Sequence, residues 1–318
     1  MTFRTIQFVV ILIAAMSALA TAAASGQSVS VNGHPLSLVW KAQDDFSDLS
    51  PLFAQAKLAR IVHLQGDGGP VDDAFHRARR RLIRFLHEKA GYTVVVLPVG
   101  IFEGAWTNSQ LRSGQTASKA AEPLYRVWRQ SEPFLDILRY VQQVGPDLEV
   151  IGGLCRYHAA GKELYAPHLI EFFDSTGRDL IDADLKERLL DLWGGRLRLS
   201  RATQEKRSAA LIFAEAVLQH FEAVRSELEA SYRPDRIDLE RQFLLNMRLF
   251  AELERIRAGD VPPDGLFGNR EKGLNLEWFL GQRFRARKII YWEGRGANTQ
   301  PLPTKEPVFV IRLSSEGH

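Results

Sequence analysis

The fold of this chain is decided by the stretch Leu58-Ala59-Arg60-Ile61-Val62-His63-Leu64-Gln65-Gly66-Asp67-Gly68-Gly69-Pro70. A short apolar strand runs here into a glycine cluster, and a helical pattern follows. In α/β folds such a junction binds ligands, because its backbone N–H groups are free and the helix dipole favours anions. The stretch therefore predicts a site for a small polar or anionic molecule, formed by Gly66, Asp67, Gly68 and Gly69; the alternative is that these glycines only form a tight turn.

Further apolar runs predict the rest of a sheet. Asn32-Gly33 is typical of a type I′ turn, so residues 28–39 are expected to form a hairpin. Short continuous apolar runs are typical of strands buried on both faces of a parallel or mixed sheet. Such runs occupy residues 60–64, 93–97, 148–151, 288–292 and 308–313.

Helical periodicity separates these runs. Residues 71–90 have apolar side chains at helical spacing, and Gly91 is predicted to end this helix. Residues 122–144 show the same spacing, and Pro133 is expected to divide them. The arginine-rich segment 76–81 is interpreted as a solvated helix face.

Residues 180–259 contain almost no strand pattern. They predict either an α-helical subdomain or helices that cover one face of the sheet. The predicted fold class is therefore α/β, with a central, mostly parallel sheet flanked by helices and a helical subdomain at about 180–259. Residues 25–318 are expected to form this one domain.

The first 24 residues have the pattern of a secretory signal peptide. Arg4 gives a positive start, residues 8–16 are apolar, and small residues at 20–24 offer cleavage sites. The pattern predicts a periplasmic or secreted protein without a stable membrane span after cleavage. An uncleaved membrane anchor is the alternative, since the apolar run and its alanines approach the length of a span.

The composition limits the classes of binding partner and the chemistry of cysteine. The chain has 41 basic and 38 acidic residues, a balance that does not predict nucleic-acid binding. Cys155 is the only cysteine, so no internal disulfide is possible. We interpret it as a buried core residue; the alternative is a thiol nucleophile next to His158. No cofactor is expected.

Several titratable residues lie near the predicted strand ends. They suggest either an acid/base pair or a site for a hard cation. The simpler interpretation places two aspartates in the first helical turn, where the dipole favours them, and His76 in solvent, so no metal site is predicted. The residues considered are His63, Asp67, Asp72, Asp73, His76, Glu103 and Glu293, of which His63, Asp67 and Glu293 are the candidate catalytic residues.

Four segments in order resemble the erythromycin esterase family. The first is the strand that ends at Gly66, and the second is the unbroken helix through residues 81–87 into the strand at 92–97. A helix at 241–246 carries an inward Asn246, and the strand Lys288–Trp292 precedes a loop that begins at Glu293. The resemblance covers most of residues 58–313.

This resemblance implies an ester hydrolase, classically acting on a macrolide lactone. Family members carry a glutamate and a histidine after the first strand and a histidine after the late strand, where a histidine serves as general base for water. Here Gly66 and Gly69 align with the first pair, and Gly294 and Ala297 occupy the late positions. The acidic residue expected after the second strand falls near Pro98.

The sequence therefore predicts an exported, erythromycin-esterase-like protein that has lost its catalytic residues and keeps a small-molecule cleft. Arg295, in the late loop, is expected to add a positive charge to that cleft. One alternative is a divergent carboxylic-ester hydrolase that uses His63, Asp67 or Glu293. Another is a protein-interaction module that displays the helical subdomain.

Overall fold

The computed structural model describes residues 29–38, 43–66, 72–156, 159–195, 198–261, 267–293 and 301–315. The predicted signal peptide lies outside these ranges. The described strands are β1 (Val29–Val31), β2 (His34–Leu36), β3 (Ile61–Gly66), β4 (Tyr92–Gly100), β5 (Glu149–Leu154), β6 (Lys288–Trp292) and β7 (Val308–Ser315). They form one sheet in the order β2-β1-β7-β3-β6-β4-β5. The predicted hairpin and the predicted apolar strands are confirmed.

The sheet is mostly parallel, as predicted. Strands β7, β3, β6, β4 and β5 pair in parallel, and β1 joins β7 and β2 antiparallel. In the hairpin turn φ is 50° at Asn32 and 82° at Gly33, the positive values of a type I′ turn. Because parallel strands end on the same side, β3, β4, β5 and β6 finish along one border of the sheet, called the carboxyl edge below.

Twelve helices surround the sheet in the described part of the chain. They are α1 (Ser50–Leu58), α2 (Asp73–Ala90), α3 (Ile101–Arg112), α4 (Ala117–Ala120), α5 (Arg126–Arg129), α6 (Glu132–Val144), α7 (Ala159–Asp174), α8 (Ala183–Trp193), α9 (Gln204–Ala223), α10 (Arg225–Glu229), α11 (Pro234–Arg257) and α12 (Phe267–Trp278). None of them is both long enough and apolar enough to cross a bilayer.

Local signals set the helix ends. Asp72 caps α2 by accepting hydrogen bonds from the N–H groups of Ala74 at 3.0 Å and Phe75 at 3.3 Å. Gly91 ends the helix with a φ of 75°, a left-handed conformation that glycine adopts readily. Pro133 lies in the first turn of α6, where its missing N–H costs nothing. Both predicted boundaries are confirmed.

The arginine-rich face of α2 is not solvated, so that prediction is wrong. Arg77 is exposed, but Arg79 and Arg81 are only 2% and 5% exposed. Arg79 lies four residues after Phe75 and three before Leu82, and this helical spacing puts it on the buried face. Arg81 turns instead toward the segment before α1, where Asp44 and Asp48 pair with its guanidinium.

Two hydrophobic cores fill the two faces of the sheet. Val62 and Leu64 of β3 pack with α2 and α6 on one face, called the α2 face below. Ile61 of β3 packs on the opposite face with Phe213 of α9 and Phe243 of α11. The helices beyond residue 180 thus share a core with the sheet. The boundary of a separate helical subdomain stays a prediction.

Candidate functional site

The carboxyl edge brings together two of the predicted catalytic residues. His63 lies in β3 and Glu293 directly follows β6, the strand that pairs with β3. The atoms His63 Nε2 and Glu293 Oε2 are 2.8 Å apart, and the two side chains are 1% and 5% exposed. The contact is close, but the ring nitrogen is not aligned with the carboxylate as in an ideal hydrogen bond.

Lys272 of α12 completes this group. Its Nζ contacts Glu293 Oε1, so each carboxylate oxygen has its own basic neighbour. Burial disfavours the charged carboxylate most strongly, but the contacts with His63 and Lys272 together outweigh it and lower the pKa of Glu293 below its ordinary value. Glu293 is therefore an ionised, buried anchor at neutral pH, and it cannot act as a general acid there.

The other side of the His63 ring faces the protein as well. Gln65 Nε2 lies 3.4 Å from His63 Nδ1, which is consistent with a proton on Nε2 that faces Glu293. The Tyr291 ring packs edge-on against the imidazole at a centroid distance of 5.7 Å. Both ring nitrogens of His63 therefore have protein neighbours, and the ring has little access to water.

A buried amide network positions α12 and hence Lys272. Asn275, one turn along the helix, exchanges hydrogen bonds of 2.8 Å with Asn246 of α11 in both directions. Gln242 Nε2 also donates to Asn275 Oδ1 at 2.9 Å, and Asn275 Nδ2 donates to the Gly153 carbonyl at the end of β5. The inward Asn246 is thus confirmed as buried. Through these hydrogen bonds Asn246 holds α12 against α11.

A buried cation lies at the same edge, on the α2 face. The guanidinium carbon of Arg79 is 4.6 Å from the centre of the Trp292 ring and 5.6 Å from that of Phe75. Trp292 ends β6. Gly66, at the end of β3, also lies next to the Arg79 guanidinium. A methyl group on Gly66 would lie 3.3 Å from Arg79 Nη2 and 3.1 Å from Leu313 Cβ. The absence of a side chain at Gly66 therefore leaves room for the Arg79 guanidinium.

Arg79 has no acidic partner among the described residues. Its Nε is buried without a hydrogen bond there, and its side chain forms no ion pair within those ranges. Desolvation lowers the pKa of Arg79 to about 10, and the more distant charge of Asp72 offsets only part of this effect. Arginine remains charged at neutral pH even so. The α2 face of the carboxyl edge thus holds a positive charge that the described protein does not neutralise.

His76 and Asp73, two other titratable residues considered above, are held by contacts with neighbouring side chains. His76 is fully buried among Trp128, Phe134 and Trp292, with ring centroids 5.6–6.3 Å away, so the expectation of a solvated His76 is wrong. It lies three residues before Arg79 and seven before Ile83, both buried, so helical spacing places it on the buried side of α2. Asp73 accepts a hydrogen bond from the Ser131 hydroxyl at 2.7 Å.

Glu103 and Cys155 follow neighbouring strands at the carboxyl edge. Glu103 is fully buried in the first turn of α3 and packs against Gly100 and Gly161, where no Cβ would fit. Cys155 is fully buried beside Leu249 and Leu253, as expected of a core residue. No group of three or more histidine, cysteine, aspartate or glutamate side chains is placed to hold a metal ion among the described residues.

Part of the predicted ligand loop lies outside the described residues, namely Asp67, Gly68, Gly69 and Arg295, as does His158. The sequence interpretation missed Arg79 and Lys272. The periodicity of α2 contained the signal for Arg79, because its spacing from Phe75 and Leu82 is that of the buried stripe. Nothing in the sequence pairs Lys272 with Glu293, because that contact depends on how α12 packs.

Comparisons with known proteins bear on this fold. No protein family and no curated protein matches this sequence. Three solved structures match with probability 1.00. A Bacillus cereus protein is 19% identical with a TM-score of 0.61, and the match covers 80% of this chain and 61% of that one. A mutant of the erythromycin esterase EreC in its open conformation is 16% identical with a TM-score of 0.62, covering 81% and 66%.

A succinoglycan biosynthesis protein is 14% identical with a TM-score of 0.58, covering 82% of this chain and 63% of that one. The present chain thus spans about three fifths to two thirds of the length of these proteins. At such identities the likeness concerns the arrangement of the backbone. The chain is therefore an α/β protein that shares its fold with the erythromycin esterase EreC.

Proposed function

We propose that this chain is an exported protein that binds a small anionic molecule at the carboxyl edge and does not hydrolyse esters. The observation that carries the proposal is Arg79, a buried guanidinium without an acidic partner in the described part of the chain. Export rests on the signal-peptide pattern of residues 1–24.

The chemistry of Arg79 favours an anion. Burying a charge is costly unless an opposite charge or hydrogen-bond acceptors receive it. The planar guanidinium matches carboxylate and phosphate groups with two parallel hydrogen bonds. Trp292 holds one face of the group, while Gly66 leaves room beside it. A carboxylate or phosphate placed there neutralises the charge at little cost in ordering the protein.

The His63 group supports the loss of ester hydrolysis. A general base must reach the water or substrate proton that it removes. His63 is 1% exposed, and both ring nitrogens face Glu293 or Gln65. The positions that the family resemblance marks as catalytic hold Gly66, Gly69 and Gly294, none of which transfers protons. We expect erythromycin incubated with the protein to show no gain of one water by mass spectrometry.

A divergent hydrolase is the second candidate, because a histidine 2.8 Å from a carboxylate is also the geometry of an oriented base. This candidate predicts turnover of 4-nitrophenyl acetate that falls by about 10²–10⁴-fold in His63→Asn. We expect instead equal, background rates for the native protein and this variant. A rate that depends on His63 would favour the hydrolase.

Binding is tested by the thermal midpoint of unfolding with increasing phosphate, acetate, succinate and glucose, at constant ionic strength. A ligand selective for the folded state stabilises it by about 2.7 kcal/mol at a hundredfold excess over its Kd. We expect phosphate or a carboxylate to raise the midpoint of the native protein and to have no such effect on Arg79→Met. Glucose should have no effect on either.

Arg77→Met is the matched control, because Arg77 lies on the same helix but is exposed. It removes the same charge without touching the proposed site, so its midpoint should rise with the anion as in the native protein. Gly68→Val and Arg295→Ala test the loop residues that the sequence adds to the site. An equal shift in Arg79→Met and Arg77→Met would contradict the proposal.

A further inference from the structure

A cavity that shares no residue with the Arg79 site has the features of a ligand site. It measures about 430 Å³ and lies between α3, α7 and the first half of α11, beside the edge strand β5. Its volume falls in the range of pockets that bind small molecules. The wall includes Glu149, at the start of β5, and Arg283, just before β6, so the cavity extends to the amino ends of these strands.

Aromatic rings form much of its wall. Phe102 and Trp106 come from α3, Phe172 from α7, Phe243 from α11, and Tyr232 precedes α11. Tyr232 stacks on Phe172 at 4.5 Å and donates its hydroxyl hydrogen to the Phe172 carbonyl, which fixes its ring. Such walls favour flat apolar molecules, since rings stack or pack edge-on against one another.

Neighbouring side chains fix the orientation of His168, a polar residue that lines the cavity. Its ring lies 5.2 Å from Phe102, 6.1 Å from Trp106 and 6.1 Å from Phe243. Nε2 is 2.9 Å from Oε1 of Glu240, a fully buried carboxylate behind the wall. Arg236 Nη2 lies 2.7 Å from that same oxygen, so the carboxylate accepts from both neighbours.

This arrangement selects a hydrogen-bond donor. Arg236 Nη2 also lies 3.3 Å from Nε2, but it is closer to Glu240 Oε1, at 2.7 Å. Because the Glu240 carboxylate can only accept, the tautomer that donates from Nε2 to Glu240 leaves Nδ1 as an acceptor. No side chain or backbone group in the described ranges bonds to Nδ1. The tautomer follows from the network around the ring.

The charged groups at the wall balance one another. Arg283 and Arg287 contact the Glu149 carboxylate at 3.1 and 2.8 Å, and Arg236 contacts Glu240 at 2.7 Å. Glu171, at the rim, has no ion pair with the described residues and is a further acceptor. With Glu171, these three arginines and three carboxylates carry no net charge, so the wall does not favour an anion, in contrast to the site of Arg79.

We propose that this cavity binds a small, neutral aromatic molecule that donates an O–H or N–H hydrogen bond to His168, as phenols and indoles do. The aromatic wall supplies the affinity for the ring, and Nδ1 supplies the preference for a donor. The site is independent of the anion site proposed above, because no residue belongs to both.

The experiment compares p-cresol with toluene, which has no donor, by saturation-transfer NMR titration on the full protein. We expect p-cresol to bind with a Kd of about 1 mM or tighter, about two- to tenfold tighter than toluene, since a net hydrogen bond is worth about 0.5–1.5 kcal/mol. His168→Phe keeps the ring shape and removes the acceptor, so the two affinities should become equal.

Filling the cavity gives a second test. Ala105 lines it, whereas Ile212 is 65% exposed on α9 and lies outside its wall. Ala105→Phe should weaken p-cresol binding at least tenfold, and the matched Ile212→Phe should leave it unchanged. Arg79→Met should also leave it unchanged. Absence of p-cresol binding, or equal binding in Ala105→Phe and Ile212→Phe, would overturn the proposal even if His168→Phe does not fold.

Discussion

Replacing Arg79 by methionine should make the protein more stable. The lowered pKa of Arg79, about 10, means that the fold disfavours its charged form. One pKa unit corresponds to about 1.4 kcal/mol, so burying this charge costs roughly 3 kcal/mol. The contact with Trp292 returns about 1–2 kcal/mol. Methionine keeps the length of the side chain without the charge, and we expect a gain of about 1–3 kcal/mol in the free energy of unfolding.

Urea denaturation at pH 7, without added ligand, measures this gain. For a protein of this size a slope of about 3 kcal/mol/M is reasonable, so the midpoint should rise by about 0.3–1 M. The folded pKa of Arg79 lies below the unfolded one, so the cost is fully present below pH 10 and declines above it. The advantage of Arg79→Met should therefore shrink as the pH rises past 10.

Arg81→Met is the matched control on the same helix. Arg81 Nε lies 2.6 Å from Asp44 Oδ2, and its Nη2 lies 2.6 Å from Asp48 Oδ1. Removing this arginine leaves two carboxylates without their partner, and we expect a loss of about 3–5 kcal/mol. A comparable loss in Arg79→Met would refute the reasoning, since it would mean that the protein itself neutralises Arg79.

Two further predictions rest on the described contacts, and a third rests on the signal-peptide pattern. Hydrogen bonds from Arg81 are the main cause that lowers the pKa values of Asp44 and Asp48. The stability that these two ionised carboxylates contribute is therefore present above the ordinary aspartate pKa of 3.8 and is lost as the pH falls below it. The acid limb of a pH–stability curve should be shallower in Arg81→Met. Asn275→Leu leaves buried amide groups of Asn246 and Gln242 unpaired and should lower the free energy of unfolding by about 2–4 kcal/mol, whereas exposed Ile212→Ala should change it by less than about 0.5 kcal/mol. Cell fractionation and N-terminal sequencing should find the mature protein outside the cytoplasm, beginning near residue 25; a cytoplasmic protein that begins at Met1 would contradict export.

Most of the sheet could be predicted from the sequence. Continuous apolar runs such as Lys288–Trp292 identify strands that are buried on both faces, and turn signals such as Asn32-Gly33 and Gly91 depend on a few adjacent residues. These features are local, so neighbouring residues suffice to fix them. The contact between His63 and Glu293 has a similar basis, because parallel strands bring both residues to one edge.

The rest of the site depends on packing between distant segments. Arginine is most often exposed, so the charge pattern of α2 suggested a solvated face, whereas the fold places Arg79 against Trp292 from a strand more than 200 positions later. His76 became a core residue for the same reason. Lys272 reaches Glu293 only because Asn275 ties its helix to Asn246 and β5. The spacing of Arg79 from Phe75 and Leu82 indicates burial, but the local sequence does not identify the distant residue that each of these side chains contacts.

The central claim is that Arg79 holds a small anion, and a crystal structure tests it most directly. The protein should be crystallised with the phosphate or carboxylate that raises its thermal midpoint most. We predict an oxygen of that anion about 2.7–3.0 Å from the guanidinium, beside Trp292 and Gly66. A carboxylate of the protein itself on Arg79, with the anion bound elsewhere or not at all, would contradict the account.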